Sequence, residues 1–115
     1  VRCLEDPSLV DLLIDRGIML EVCPTSNDLL QVVERIEDHP LPELLAAGLR
    51  VCLNTDDPGW FATDLVTELA IASELLGVDR AQHLAMQLDA VDASFIAPEI
   101  ALALKTEIVD YPIDA

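Results

Sequence analysis

The sequence predicts an α/β protein in which a parallel sheet is covered by helices. Three observations carry that expectation. Residues 18–23 and 49–54 are apolar at nearly every position. Each stretch follows a helical pattern closed by a glycine, Gly17 or Gly48. Each also gives way at once to polar, proline-containing sequence, "PTSN" after the first and "TDDP" after the second.

The elements follow in order. Asp6 and Pro7 open a helix, because aspartate caps and proline fits the first turn, where its missing N–H is no loss. Leu9, Leu12 and Leu13 give that helix an apolar face, and Gly17 ends it. The first strand, "IMLEVC", stops at Pro24, which cannot donate to a ladder; Ser26 and Asn27 favour a turn or a cap. Leu29, Leu30, Val32, Val33 and Ile36 recur at helical spacing and predict a helix there. Pro40 and Pro42 restart the chain as the short helix "LPELLAAG", closed by Gly48. "LRVCLN" is the second strand, and "TDDPGWF" is the loop after it. A helix is expected from about residue 63 to 76, ended by Gly77. Asp79, with Gln82 three residues on, resembles a capping box for the next helix, whose apolar stripe is Leu84, Leu88, Val91 and Phe95. Pro98 breaks it. A last helical piece covers "EIALALKT", and the tail is expected to fray. No repeat or linker interrupts the order, so residues 1–115 read as one unit with no second domain. Two strands cannot make a sheet with a two-faced core by themselves, so that unit is expected to be part of a larger α/β fold.

Composition narrows the function classes. At 115 residues and 52% hydrophobic, the chain is globular and at most one small domain. Its aromatic content of 3% leaves Leu, Ile, Val and Ala to build the core. The formal net charge of -16 repels phosphate backbones, which argues against nucleic acid as a partner. No apolar run approaches the roughly 20 residues of a membrane span, and no basic segment with a cleavage site opens the chain. The chain does not begin with Met, which suggests a fragment or a processed product. Cys3, Cys23 and Cys52 are odd in number and contain no CxxC pair, so neither a disulfide framework nor a thiolate zinc knuckle is expected. A reducing cytoplasm suits them best.

Loops at the C-terminal ends of parallel strands carry the chemistry of such folds, and both unusual stretches fall there. Asp56 and Asp57 are the candidates of greatest interest. Neighbouring side chains near a strand end point in different directions, so the two acids would serve different neighbours rather than share one proton. One could reach a metal, and the other could accept a proton or hydrogen bond from a substrate. The competing reading is structural: Asp56 caps a helix whose first residue is Pro58, and Asp57 is solvated. His39 and His83 are expected to be ordinary surface histidines. Ser26 and Cys23 have no histidine near them in sequence to make either a nucleophile. Trp60 and Phe61 could line an apolar pocket beside the acids or pack into the core. The helix at residues 41–49 carries no visible chemistry.

Taken together, "LEVCPTSN" at residues 20–27 and "HPLPELLAAGLRVCLNTDDPGWF" at residues 39–61 resemble the C-terminal part of the adenosine deaminase family. The flanks "LEDPSLVDLLIDRGI", "DLVTELAIASELLGV" and "LDAVDASF" are similar to the family's neighbouring helices, so the resemblance extends to about Pro98. It implies a (β/α)8 TIM barrel, of which this chain is about the last two to three βα units, with "EVC" and "VCLN" as the seventh and eighth strands. It implies a zinc-dependent hydrolase converting adenosine to inosine and ammonia, and so a small purine nucleoside as the partner. Asp56 would be a zinc ligand. Asp57 would hydrogen-bond the purine ring and orient the attacking water, a catalytic and substrate-binding role. Ser26 and Asn27 would support the strand end. Related adenine and AMP deaminases share these elements, and the threonine of "CPTSN" leans toward the adenosine branch.

The family's pattern is met only in part. An early His-x-His pair, a His-Ala-Gly-Glu segment and a His-Gly step, which would supply the remaining zinc ligands, the general-acid glutamate and a histidine at the zinc water, do not occur here. One carboxylate does not hold zinc tightly, so the isolated polypeptide is expected to be inactive and to expose apolar faces through which it could associate. The alternative to a deaminase portion is a catalytically dead module that binds a partner. The oligomeric state is left open.

Overall fold

The computed structural model describes residues 1–111. A single 3-10 turn at Arg2–Glu5 leads into α1 (Pro7–Asp15), then β1 (Met19–Val22) and the short α2 (Pro24–Leu29). A second 3-10 turn at Ile36–Asp38 precedes α3 (Leu41–Ala46) and β2 (Arg50–Leu53). Four helices follow: α4 (Pro58–Phe61), α5 (Leu65–Glu74), α6 (Arg80–Ala93) and α7 (Pro98–Asp110). The two strands pair in parallel, with Met19 opposite Arg50 and Val22 opposite Leu53.

The same local device launches both strands. Gly17 takes φ +60° and Gly48 φ +80°, the left-handed region that side chains other than glycine rarely adopt. After α1, the Ile18 N–H bonds Leu13 O and the Gly17 N–H bonds Ile14 O, each at 3.0 Å. After α3, Leu49 bonds Leu44 O at 3.2 Å and Gly48 bonds Leu45 O at 3.0 Å. Both are Schellman closures, which satisfy the last carbonyls of the helix and turn the chain back into a strand.

The two-residue period of a strand puts Leu20 and Val22 of β1 on the same face as Val51 and Leu53 of β2. That face meets the core of Leu41, Leu44, Leu49, Ala72, Leu76, Val78 and Met86. Leu41, Leu44 and Ala72 are wholly buried, so α3 and α5 lie against the sheet at close range. Arg50 at the start of β2 clamps α6 by an ion pair with Asp89 at 2.9 Å. Asp6, Asp64 and Asp79 cap α1, α5 and α6, and the expected box is complete: Gln82 Oε1 accepts from the Asp79 N–H at 2.8 Å.

Several expectations are corrected. The apolar residues 29–36 do not form a helix; α2 ends at Leu29, and the chain turns through Gln31 at φ +58°. Leu29, Leu30 and Val32 remain exposed, so no tertiary face rewards a helix at this spacing. The "PTSN" segment is itself the first turn of α2, with Pro24 at its first position, rather than a bare turn. α6 stops at Ala93, so Phe95 falls outside the helix and is fully exposed, while Met86 is the residue α6 buries. Pro98 opens α7 rather than breaking α6, and α7 runs on to Asp110. Of the tail expected to fray, residues 107–110 belong to α7 instead, and residues 112–115 lie outside the described ones. No helix among the described residues is long and apolar enough to cross a membrane.

Leu44 sits at the centre of the packing. Leu44→Ala is expected to lower unfolding free energy by about 2–5 kcal/mol, because the wholly buried site leaves a cavity that its neighbours only partly fill. Urea unfolding of the two proteins checks it.

Candidate active site at the strand ends

Parallel pairing brings the two motifs together. The ladder runs one step past the strands, where the Asn54 N–H donates to Val22 O at 2.9 Å, so both chains leave the sheet at one edge. Beyond it, the Ser26 hydroxyl donates to Asp56 Oδ2 at 2.8 Å across thirty positions of sequence. Ser26 is 2% exposed, so the bond is shielded on its donor side and open to water at Asp56.

Asp56 reaches this place through an uncommon backbone. Its φ of +53° is left-handed, a region aspartate tolerates better than most side chains because its short polar group can bond locally. The carboxylate is exposed, and Oδ1 has no hydrogen-bond partner among the described residues. Asp57 is exposed too, and its side chain makes no hydrogen bond there. It is Asp57, not Asp56, that stands at the cap position of α4, and it caps by backbone alone: its carbonyl accepts from Trp60 and Phe61 at 2.9 Å. The structural reading in which Asp56 caps the helix therefore fails. Neither acid's side chain is used to build the turn. Trp60 is 84% exposed beside them, which removes core packing as its role here; Phe61 is half-buried.

Two buried groups that sequence reasoning passed over brace the site. His39 was expected on the surface and is 2% exposed. The Leu41 N–H donates to its Nδ1 at 3.1 Å. The ring is therefore neutral with its proton on Nε2, which donates to Asn27 Oδ1 at 3.0 Å. Asn27 and α2 are thus pinned to the start of α3. Burial pushes the His39 pKa from 6.5 down to about 4. Glu68, wholly buried on α5, accepts from the Thr25 N–H at 3.1 Å and from the Thr63 hydroxyl at 2.6 Å. Each carries one cue in sequence: His39 stands before a proline just ahead of a core helix, and Glu68 shares its helix face with Leu65, Ile71 and Ala72.

Cys23 is no nucleophile. Burial first, and the charge of Asp56 second, push its thiol up to about 11, so it stays protonated at neutral pH. All three cysteines are free. His83 lies on α6 with Nε2 2.8 Å from the Ser73 hydroxyl, and burial lowers its pKa. No group of three or more His, Cys, Asp or Glu able to hold a metal occurs among the described residues. Asp56 fits such a role as one ligand, with one oxygen steadied and the other open.

A parallel strand pair with helices on one face and polar groups gathered at the C-terminal strand ends is a piece of a βα-barrel with its site where barrels carry theirs. The chain belongs to the adenosine deaminase family, whose family model matches residues 1–111. It is 44% identical over 104 residues to an adenine deaminase of Chelativorans sp., covering 90% of this chain and 32% of that protein. It is 44% identical over 92 residues to an aminodeoxyfutalosine deaminase of Streptomyces coelicolor, covering 80% of this chain and 24% of that one. The crystal structure of adenine deaminase from Arthrobacter aurescens superimposes with a TM-score of 0.92 at 32% identity, covering 96% of this chain and 34% of that one. The chain thus spans about a third of the length of the curated relatives it matches.

The buried histidine gives this site a pH signature. A base whose folded pKa lies below its unfolded value contributes fully above pH 6.5, and stability is lost as pH falls from 6.5 toward about 4. His83, shifted the same way, adds to the loss. Melting temperature should therefore fall across this window, and His39→Gln should flatten the upper part of the fall, from pH 6.5 to 5, before carboxylates titrate. Thermal melts at half-unit pH steps check it.

Proposed function

We propose that this chain, residues 1–115, is the C-terminal portion of a zinc-dependent deaminase that hydrolyses the exocyclic amine of a 6-aminopurine and releases ammonia, with adenine as the favoured substrate. The observation that carries the reading is the Ser26–Asp56 bond, which joins the two strand-end motifs and leaves one oxygen of Asp56 and both of Asp57 open. Adenine is favoured over adenosine because the Chelativorans relative is an adenine deaminase. The second reading, adenosine, rests on Thr25 within "CPTSN". The acid pair would work on either.

The roles follow from position. Asp56 would give its open Oδ1 as one ligand to zinc, while Ser26 holds Oδ2 and fixes the plane of the carboxylate. The remaining ligands and the general-acid glutamate would come from outside the described residues. The chemistry a bound zinc supplies is activation of water at neutral pH. Asp57, whose carboxylate takes no part in the helix cap, would accept a hydrogen bond from the attacking water and contact the purine ring. Asn27, locked by His39, would keep α2 in register behind them. The three free cysteines suit a reducing cytoplasm.

The test uses the intact protein that contains this chain. Asn is the cleanest replacement at position 56, since it also tolerates the left-handed backbone. Asp56→Asn is expected to lose both zinc and activity. Asp57→Asn should keep zinc and lose at least about 100-fold in kcat. Ammonia release from adenine, adenosine and AMP should show the highest kcat/KM for adenine. Full activity in both variants would reduce the acids to inherited remnants and favour the non-catalytic module.

A further inference from the structure

Glu68 is a wholly buried acid on α5. Its carboxylate is wholly buried, and no lysine, arginine or histidine nitrogen forms an ion pair with it among the described residues. Only two neutral donors satisfy it. For stability alone, an apolar side chain of the same volume would do as well or better, because desolvating a carboxylate costs several kcal/mol.

What the carboxylate reaches gives the reason. Oε2 takes the N–H of Thr25, at the second position of α2, from forty-three residues away. Oε1 takes the hydroxyl of Thr63, just after α4. Thr25 belongs to the segment that follows β1, and Thr63 to the segment that follows β2. Glu68 is therefore a bridge between the two strand-end segments. Next to Thr25 stands Ser26, whose hydroxyl makes the other bridge, to Asp56. The short α2 has no side chain of its own capping its start, so Glu68 supplies the acceptor there, while the His39–Asn27 bond holds the next turn.

We propose that Glu68 is a positioning residue for the strand-end acid: its buried carboxylate holds α2 at Thr25, and α2 holds Asp56 through Ser26. The proposal rests on the reading of Asp56 as a zinc ligand. It assigns Glu68 no contact with metal or substrate.

The test compares zinc affinity, by competition with a chelator, and zinc-free melting temperature in the intact protein that contains this chain. Glu68→Ala is expected to weaken zinc by about tenfold or more, the usual effect of losing a group that orients a ligand. Glu68→Gln should recover affinity to within about threefold of the parent, since its amide oxygen can take the Thr25 N–H and its NH2 can donate to the Thr63 hydroxyl. Ser26→Ala should weaken zinc as Glu68→Ala does, and the double variant should be no weaker than the worse single one, because both act along one path. A Glu68→Ala protein that melts lower but binds zinc like the parent overturns the proposal, as do losses that multiply in the double variant. If Glu68→Ala does not fold, Thr63→Val removes one of the two bonds and must still weaken zinc; unchanged affinity overturns the proposal equally. If Asp56→Asn leaves zinc affinity intact, the ligand reading falls instead. A crystal structure of zinc-free Glu68→Ala then decides: a retained Ser26–Asp56 bond overturns the bridge, and a lost one supports it.

Discussion

The parallel register of β1 and β2 governs everything else. With Met19 opposite Arg50, the strands end level, and Ser26 and Asp56 arrive at hydrogen-bond distance. A shift of β2 by one residue would turn Val51 and Leu53 away from the core and carry Asp56 out of reach of Ser26. The register is held from both ends. Two glycine closures set where each strand begins, and the bridges from Glu68 and His39 set where each continues. Core and site are therefore not separable: α3 and α5 bury Leu41, Leu44 and Ala72, while His39 just ahead of α3 and Glu68 on α5 brace the site.

Much of this was legible in the sequence because it is local. A glycine after a helical pattern, an aspartate before one, and an apolar run bounded by proline each have a physical cause within a few residues. Both strands, the Asp79–Gln82 box and the level placement of "PTSN" and "TDDP" follow from such cues. Asp56 and Asp57 stood out because two acids at the end of a buried strand need a reason.

What could not be read is what depends on distant partners. His39 looked like a surface residue beside acidic neighbours, but its burial depends on Asn27 and on the start of α3. Glu68 has no partner close by in sequence on its buried side; its partners lie at Thr25 and Thr63. The apolar residues at 29–36 had helical spacing and no surface to bury it against, so periodicity misled. Exposed apolar side chains on α1 (Leu9, Leu12, Ile14) and α7 (Ile100, Leu102, Leu104) show the same excess of apolar surface over partners. That excess is what one sector of a barrel presents when its neighbours are not beside it.

The two strands also have outer edges. Among the described residues each strand pairs on one side only, so a row of backbone donors and acceptors faces outward on either flank. In a closed barrel such rows vanish, and in an open one they invite the wrong strand. Each four-residue strand carries a single charge, Glu21 in β1 and Arg50 in β2. Both charges are used within the fold: Glu21 accepts a hydrogen bond from the Asn54 side-chain amide at 3.3 Å, and Arg50 clamps α6. They are also gatekeepers: a further copy of either strand laid in register along its own flank would stack like charge on like. The sector is thus built to accept its proper neighbours and to resist its own duplicates.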